Sequence, residues 1–260
     1  MHRFFAAFFF LTFVAALGLA DPPKANPRIV FMIGEDEYKT WETLPEFAKT
    51  ELAPAGFRVT IIQADPADKN NFPGLVAALR EADVLVISLR RRTPLKEQLD
   101  AVRAHLNAGK PLLGVRTACH AFDPQAKDKE KVAANPKLGQ WSEFDPEVLG
   151  GHYTGHYGAG PKTAISVAPG ARGHPILHDV DATKLVGNGS LYKVSPLAET
   201  ALPLLIGAIP DQSPEPVAWT RMYGPNKARI FYTSLGHPDD FKNPEFRRLL
   251  VSAIRWAVEP

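Results

Sequence analysis

Hydrophobic and polar positions fall into two textures along the chain. In the first half four short, branched apolar runs stand out: Arg28 to Gly34 (RIVFMIG), Phe57 to Ala64 (FRVTIIQA), Asp83 to Leu89 (DVLVISL) and Pro111 to Val115 (PLLGV). Runs of this length without polar alternation are the pattern of strands covered on both faces. Between them the spacing predicts helices at about Trp41 to Leu52, Pro73 to Glu81 and Thr93 to Ala108. The third carries the fullest set of signals. Thr93 is placed to cap, Pro94 suits a first turn, Leu95, Leu99, Val102 and Leu106 share one face, and Gly109 follows the last turn. Strands alternating with helices in this way predict an α/β fold with a doubly wound, mostly parallel sheet.

The second half loses the helices. Ala164 to Val167, Lys184 to Val186, Ser190 to Val194, Pro216 to Thr220 and Ala228 to Ser234 read as strands joined by Gly and Pro turns, some of them extending the sheet antiparallel. The chain closes on a helix: Asn243 caps, Pro244 starts, and Phe246, Leu249, Leu250, Ala253, Ile254 and Ala257 recur at helical spacing. Neither an internal repeat nor a low-complexity segment interrupts residues 28–260, which are expected to form a single domain.

The first 27 residues do not share this pattern. A basic start, Met1-His2-Arg3, precedes an apolar run of 17 residues from Phe4 to Ala20 that ends in Gly-Leu-Ala. This is the layout of a secretory signal peptide cleaved after Ala20; an uncleaved anchor would need roughly 20 apolar residues. Asp21 to Pro27, with three prolines in seven residues, reads as a linker. The expectation is a periplasmic or secreted protein with no membrane contact once the signal is removed. Cys119 is the single cysteine, so no intramolecular disulfide can form, and the absence of a cysteine after the signal excludes a lipoprotein.

Composition changes the picture only by exclusion. With 45% hydrophobic and 22% charged residues the chain can bury a sizeable core. A net charge of +2, with Arg90-Arg91-Arg92 as the longest like-charge block, gives no footprint for nucleic acid.

In open α/β sheets ligands bind outside the carboxyl ends of the strands. The chemically rich residues collect just there: Glu35, Asp36, Glu37 and Tyr38 after the first strand, the three arginines after the third, Arg116 and His120 after the fourth, and Gly236-His237-Pro238-Asp239-Asp240-Phe241 after the last. A further stretch, Gly150 to Gly160 (GGHYTGHYGAG), packs five glycines, two histidines and two tyrosines into eleven residues. Each has a bland reading: a solvated acidic turn at Glu35 to Glu37, surface ion pairs for one or two of the arginines, a core histidine at His237. His105, His174 and His178 lack supporting neighbours and read as structural or surface residues. The glycines argue against a helix at His152 and His156, yet a loop can bring both imidazoles onto a ligand or, with His120, onto a divalent metal. Closure of this loop over a substrate is the more general expectation, with Tyr153 and Tyr157 offering flat faces to a sugar ring.

The residues RIVFMIGEDEYKTWETLP, GVRTACHAF, WSEFDPEVLGGHYTGHYG, EPVAWT and FYTSLGHPDDF, followed by a helix containing Trp256, resemble the ThuA-like (trehalose utilisation) family across almost all of residues 28–260. The resemblance implies the flavodoxin-like fold of the class I glutamine amidotransferases. In that superfamily a G-x-C-x-G turn holds the nucleophile and a late His-Pro-Glu supplies the base and its carboxylate. Here the turn is Gly114-Val115-Arg116-Thr117-Ala118 and the late motif is His237-Pro238-Asp239. An arginine stays protonated and cannot attack a carbonyl, so glutaminase chemistry is not expected.

Cys119, three residues beyond the apex, would sit in the first turn of the next helix. Its helical position swings it away from the apex, and a lone cysteine is more often a buried apolar residue than a nucleophile. The leading expectation is an enzyme acting on a sugar or keto sugar with no required cofactor. In it His237 is general acid or base, Asp239 or Asp240 orients it, Arg116 and Arg91 stabilise oxyanionic charge, and Glu35 is a second proton-transfer group. His120, His152, Tyr153, His156, Tyr157 and Asp240 would contact substrate. The alternatives are a non-catalytic carbohydrate or small-molecule binding module and, more weakly, a metal-dependent hydrolase built on the histidines.

Overall fold

A computed structural model describes residues 26–259. The signal peptide expected over residues 1–20 and all but the end of the linker therefore lie outside the described residues. No helix among the described residues is long and apolar enough to cross a membrane.

The four apolar runs of the first half form β1 (Arg28–Gly34), β2 (Arg58–Gln63), β3 (Val84–Leu89) and β4 (Leu112–Val115), all parallel. The helices between them are α1 (Thr40–Phe47), which runs on into a π-helical turn at Ala48–Leu52, α2 (Leu75–Glu81) and α3 (Lys96–Asn107). A short α4 (Lys129–Ala133) follows β4. The second half supplies β5 (Gly155–His156), β6 (Thr163–Val167), β7 (Val186–Gly187), β8 (Tyr192–Lys193), β9 (Leu202–Ala208), β10 (Glu215–Tyr223), β11 (Ala228–Thr233) and α5 (Pro244–Val258).

One nine-stranded sheet runs in the order β2-β1-β3-β4-β11-β10-β9-β6-β7, while β5 and β8 pair separately. The first five strands are parallel and the last four antiparallel, so the doubly wound sheet with an antiparallel extension expected from the pattern is what forms. The order 2-1-3-4 followed by a fifth parallel strand is the flavodoxin-like arrangement, whose crevice opens at the carboxyl ends where β1 and β3 lead to opposite sides.

Two cores, one on each face, explain why β1, β3 and β4 are apolar at nearly every position; β2, at the sheet edge, is not covered on both faces as its apolar run suggested, and exposes Arg58, Thr60 and Gln63. Ile29, Phe31, Ile33, Val84, Val86, Leu113, Val115 and Phe231 face the layer of α1 and α5. Their alternates Val30, Met32, Leu85, Ile87, Leu112, Ile230 and Tyr232 face α2, α3 and the turn after β4. The apolar stripe of α5 is the one read from its spacing, and Asn243 caps it by accepting from the Glu245 backbone N–H at 2.9 Å.

Local rules fail in identifiable places. Thr93 does not cap α3; its backbone N–H bonds the Asn70 side chain at 2.9 Å, and the helix starts at Lys96. Residues 182–184 form a 3-10 turn, so of the strand expected at Lys184 to Val186 only Val186 is in a strand, the two-residue β7. The strand expected at Ser190 to Val194 shrinks to Tyr192–Lys193. β9, not expected at all, carries Pro203 near its start. That proline lies beyond the part of β9 that pairs with β6, and β10 absorbs its own Pro216 at a bulge.

Candidate functional site

Three turns at the carboxyl edge of the parallel sheet each hold a non-glycine residue in the left-handed region: Lys39 after β1 (φ 52°), Arg91 after β3 (φ 53°) and Arg116 after β4 (φ 51°). Each costs about 1–2 kcal/mol, a strain that collects at functional edges. Arg116 is therefore the apex of a sharp elbow between β4 and the 3-10 helix Arg116–His120. Gly236, the residue before His237, passes so close that a Cβ there would stand 2.9 Å from Val115 Cγ1 and 3.2 Å from Arg116 Cβ. A glycine at this point lets the late motif reach the elbow.

Arg116 is 2% exposed, and no carboxylate pairs with it among the described ion pairs. Its guanidinium lies between two rings, 4.5 Å from the centroid of Tyr38 and 4.1 Å from that of Tyr192. Nη1 donates to the backbone oxygens of Ser234 (2.5 Å) and Ser190 (3.1 Å), and Nη2 donates to the Tyr38 hydroxyl (3.2 Å). The stack extends both ways. Tyr38 meets His237 edge-on at 6.2 Å; Tyr192 meets Tyr153 at 4.8 Å, and Tyr153 meets His120 at 4.6 Å. One continuous run of rings, His237-Tyr38-Arg116-Tyr192-Tyr153-His120, thus crosses the crevice with a buried cation at its centre. Tyr38, Tyr153, His237 and Arg91 are its partly exposed members and neighbours.

The carboxylates around it are engaged. Glu35 is 2% exposed; Oε1 accepts from the Thr40 N–H (2.6 Å) and hydroxyl (2.8 Å), and Oε2 from the N–H groups of Glu37 (2.8 Å) and Tyr38 (2.6 Å). It ties the β1–α1 turn that carries Tyr38. Asp240 does the same for the late motif. Oδ2 accepts from the N–H groups of Gly236 (2.8 Å) and His237 (2.9 Å), and Oδ1 from Asn188 N (2.9 Å) and Nδ2 (2.8 Å). Asp239 orients His237 through its backbone, donating N–H to Nδ1 at 3.2 Å. Its carboxylate stands 3.7 Å from that nitrogen and bonds Lys242 at 2.6 Å. With Nδ1 accepting, the neutral ring carries its proton on Nε2 and presents a donor.

Of the other expected residues, Arg91 bonds Asp123 Oδ2 at 3.3 Å. His120 is buried; burial first, then Arg91, Arg90 and Arg116, pushes its pKa down to about 3, so it stays neutral. Cys119 is fully buried, with Sγ 3.3 Å from His120 Nδ1, and burial raises its thiol to about 12. The Gly150 to Gly160 stretch is anchored rather than isolated: β5 pairs with β8, and Lys193 Nζ sits 4.4 Å over Tyr157. His156 Nδ1 bonds the Tyr157 backbone oxygen at 2.8 Å, and His152 Nδ1 lies 3.0 Å from Asp145 Oδ2. Among the described residues no group of three or more His, Cys, Asp or Glu side chains is arranged to hold a metal ion.

Sequence reasoning passed over Tyr192, Gly189, Ser190 and Asp145. The first three belong to Asn188-Gly-Ser-Leu-Tyr192, whose only signal was a turn ahead of a short apolar run; Asp145 lay unmarked inside WSEFDPEVLGG.

Fold and site together describe a flavodoxin-like α/β protein whose sharp elbow carries a buried arginine where an acyl-transfer enzyme of this architecture would carry its nucleophile. A family model described as ThuA, trehalose utilisation, matches residues 29–257, and the chain belongs to that family. A ThuA-like protein from Bacteroides uniformis is similar in structure, at a TM-score of 0.64 and 18% identity, with 94% of this chain and 95% of that one covered. Another from Parabacteroides merdae gives 0.62 and 16%, covering 90% of each chain. The N-terminal domain of mmIFT52 shares the fold at a TM-score of 0.55 and 10% identity, over 89% of this chain and 98% of that domain. No curated protein matches the sequence.

Proposed function

We propose that this protein is an exported enzyme that acts on a sugar or an oxidised (keto) sugar, bound across the ring-lined crevice at the carboxyl edge of the parallel strands. The observation that carries the reading is the unbroken stack from His237 to His120 around Arg116. Tyrosine rings offer apolar faces to the C–H side of a sugar and hydroxyls to its polar rim. His237 donates from Nε2–H to a substrate oxygen. Arg116 holds positive potential behind that position without giving up its own hydrogen bonds, and Arg91 flanks it. The family's trehalose-utilisation description agrees with a sugar ligand, and the basic start and apolar run at the N-terminus support export. The test is a screen of glucosides and keto glucosides with and without added divalent metal. Turnover or ring-specific binding that His237→Gln weakens supports the reading; neither binding nor turnover with any sugar removes it.

A second reading, a carbohydrate-binding module without catalysis, is favoured by one observation: the carboxylates of Glu35 and Asp240 each accept four hydrogen bonds from the protein itself. Calorimetric sugar binding without turnover, undiminished in His237→Ala, selects it.

A further inference from the structure

The site as described has a donor in His237, and a carboxylate–imidazole pair beside Tyr153 is arranged to accept a proton. We propose that His152 is the proton acceptor of this site and that the buried carboxylate of Asp145 is its positioning residue; the role rests on the sugar-converting reading above.

The local chain builds the pair. Asp145 opens a π-helical turn, Asp145–Leu149, that closes with the Gly150 N–H on the Asp145 backbone oxygen at 2.8 Å. Such wide turns recur at functional sites. Gly150 then takes a left-handed conformation (φ 80°), and the chain doubles back over the carboxylate. Oδ2 of Asp145 accepts from the Tyr153 backbone N–H at 2.8 Å and from His152 Nδ1 at 3.0 Å. One oxygen thus fixes both the ring wall of the crevice, Tyr153, and the imidazole next to it.

Exposure divides the labour within the pair. The Asp145 side chain is 7% exposed and that of His152 is 62% exposed, so the carboxylate lies inside and the imidazole faces out with Nε2 unpartnered among the described hydrogen bonds. A carboxylate on Nδ1–H holds the Nε2 lone pair outward and stabilises the imidazolium that forms when Nε2 takes a proton. Burial pushes the Asp145 carboxyl up to about 6 against the hydrogen bonds from Tyr153 and His152, and above that pH it is the anion such a pair needs.

The other site histidines are arranged otherwise. His237 spends Nδ1 accepting a backbone N–H, and its nearest carboxylate oxygen is 3.7 Å away. His120 is buried beneath Tyr153 and held neutral, and His156 places Nδ1 on a backbone oxygen. His152 alone among them has a carboxylate at hydrogen-bond distance.

With a keto sugar, the step breaks the C–H bond beside the carbonyl. The proton goes to His152 Nε2, the bonding pair forms the carbon–carbon double bond, and the carbonyl pair moves onto oxygen to give the enolate. No oxidant or further reactant is required, and the reverse transfer returns the proton.

The test uses the full mature chain and two readouts. Ring-nitrogen NMR of His152 should show the Nδ1–H tautomer in wild type and a mixture in Asp145→Asn, a variant that keeps an acceptor oxygen for both donors but loses the charge. In D2O, wild type should wash deuterium into the carbon beside the carbonyl of a keto glucoside. His152→Gln, an exposed substitution compatible with folding, should slow this by about 100-fold or more. Asp145→Asn should slow it by about tenfold with the tautomer change. Wash-in by His152→Gln at the wild-type rate, or an Nε2–H tautomer in wild type, overturns the pair alone. Binding without any wash-in or conversion by wild type instead sinks the enzymatic reading, and the proton role goes with it.

Discussion

Gly189 lies against Arg116 so closely that a Cβ on it would stand 2.5 Å from Nη2 and 2.7 Å from Cζ of the guanidinium. The guanidinium cannot retreat, because rings occupy both of its faces and Nη1 is held by two backbone oxygens. Gly189→Ala should therefore destabilise the fold by about 1–3 kcal/mol, as overpacking does in a closed site. Urea unfolding measures it. A variant as stable as wild type would mean that Arg116 is loosely held and free to turn toward a ligand.

Replacing Arg116 by Met removes the cation that both tyrosines face and leaves the oxygens of Ser234 and Ser190 without their donor. The buried Ser234 acceptor left unpaired costs about 1–3 kcal/mol and the half-buried Ser190 acceptor less, partly offset by no longer burying a charge. The expected outcome is a net stability loss with sugar affinity or turnover reduced by a factor on the order of 10². Lost function at wild-type stability would instead assign Arg116 to direct ligand contact.

Cys119 should behave as a buried apolar side chain. Its thiol, raised to about 12, should stay unreactive toward Ellman's reagent in native buffer and titrate as one thiol in denaturant. Cys119→Ala should cost about 1–2 kcal/mol and leave sugar binding intact. Rapid native labelling that a sugar blocks would restore a cysteine at the centre of the chemistry.

Acid should weaken the fold through two buried imidazoles. Burial lowers His105 from 6.5 to about 4 and His120 from 6.5 to about 3. Between those values the unfolded chain binds the extra protons, so this stability is complete above about pH 6.5 and is lost as pH falls through the window. Asp145 acts in the opposite sense: with its folded pKa near 6 and an ordinary value of 3.8, the native state holds the extra proton, and its contribution declines as pH rises between them. His105→Gln, which can still donate to the Pro111 oxygen that His105 reaches at 2.9 Å, should flatten the slope between pH 6.5 and 4 by up to one proton. An unchanged slope in chemical denaturation at stepped pH would count against a neutral buried His105.

Most of the scaffold was legible because parallel strands covered on both faces are apolar at nearly every position, and β1, β3 and β4 are, Arg28 and Ser88 excepted. The elbow was legible too, since Gly114 to Ala118 comes directly after a buried strand. Partnership across distance escaped. Glu35 reads as one of three acids in a row, and only the fold shows four donors converging on it. Tyr192 lies 76 residues beyond Arg116 in sequence and carries no local sign that its ring will cover a guanidinium. Asp145 and His152 are close in sequence, yet no periodicity marks the π-helical turn that brings one under the other. β9 was hidden by Pro203, whose missing N–H is tolerated only because β6 stops short of it.

Glu35 separates a structural role from a catalytic one most sharply. Both of its oxygens accept two hydrogen bonds, and all four donors belong to the turn and the first residue of α1. Glu35→Gln keeps the shape but offers one acceptor oxygen and an NH2 group, which must then face N–H donors that it cannot satisfy. The turn carries Tyr38, so loosening it uncovers one face of Arg116 and shifts the ring nearest His237. The expected result is a loss of about 2–4 kcal/mol in urea, from two donors left unpaired in a buried place, together with weaker sugar binding. Glu35→Asp, too short to reach both pairs, should do much the same. A proton-transfer residue would give the contrary pattern: Glu35→Gln as stable as wild type, sugar binding unchanged, and turnover lost. Equilibrium unfolding and calorimetry on the same two variants tell the cases apart, and that contrary pattern would move Glu35 from the framework of the crevice into its chemistry.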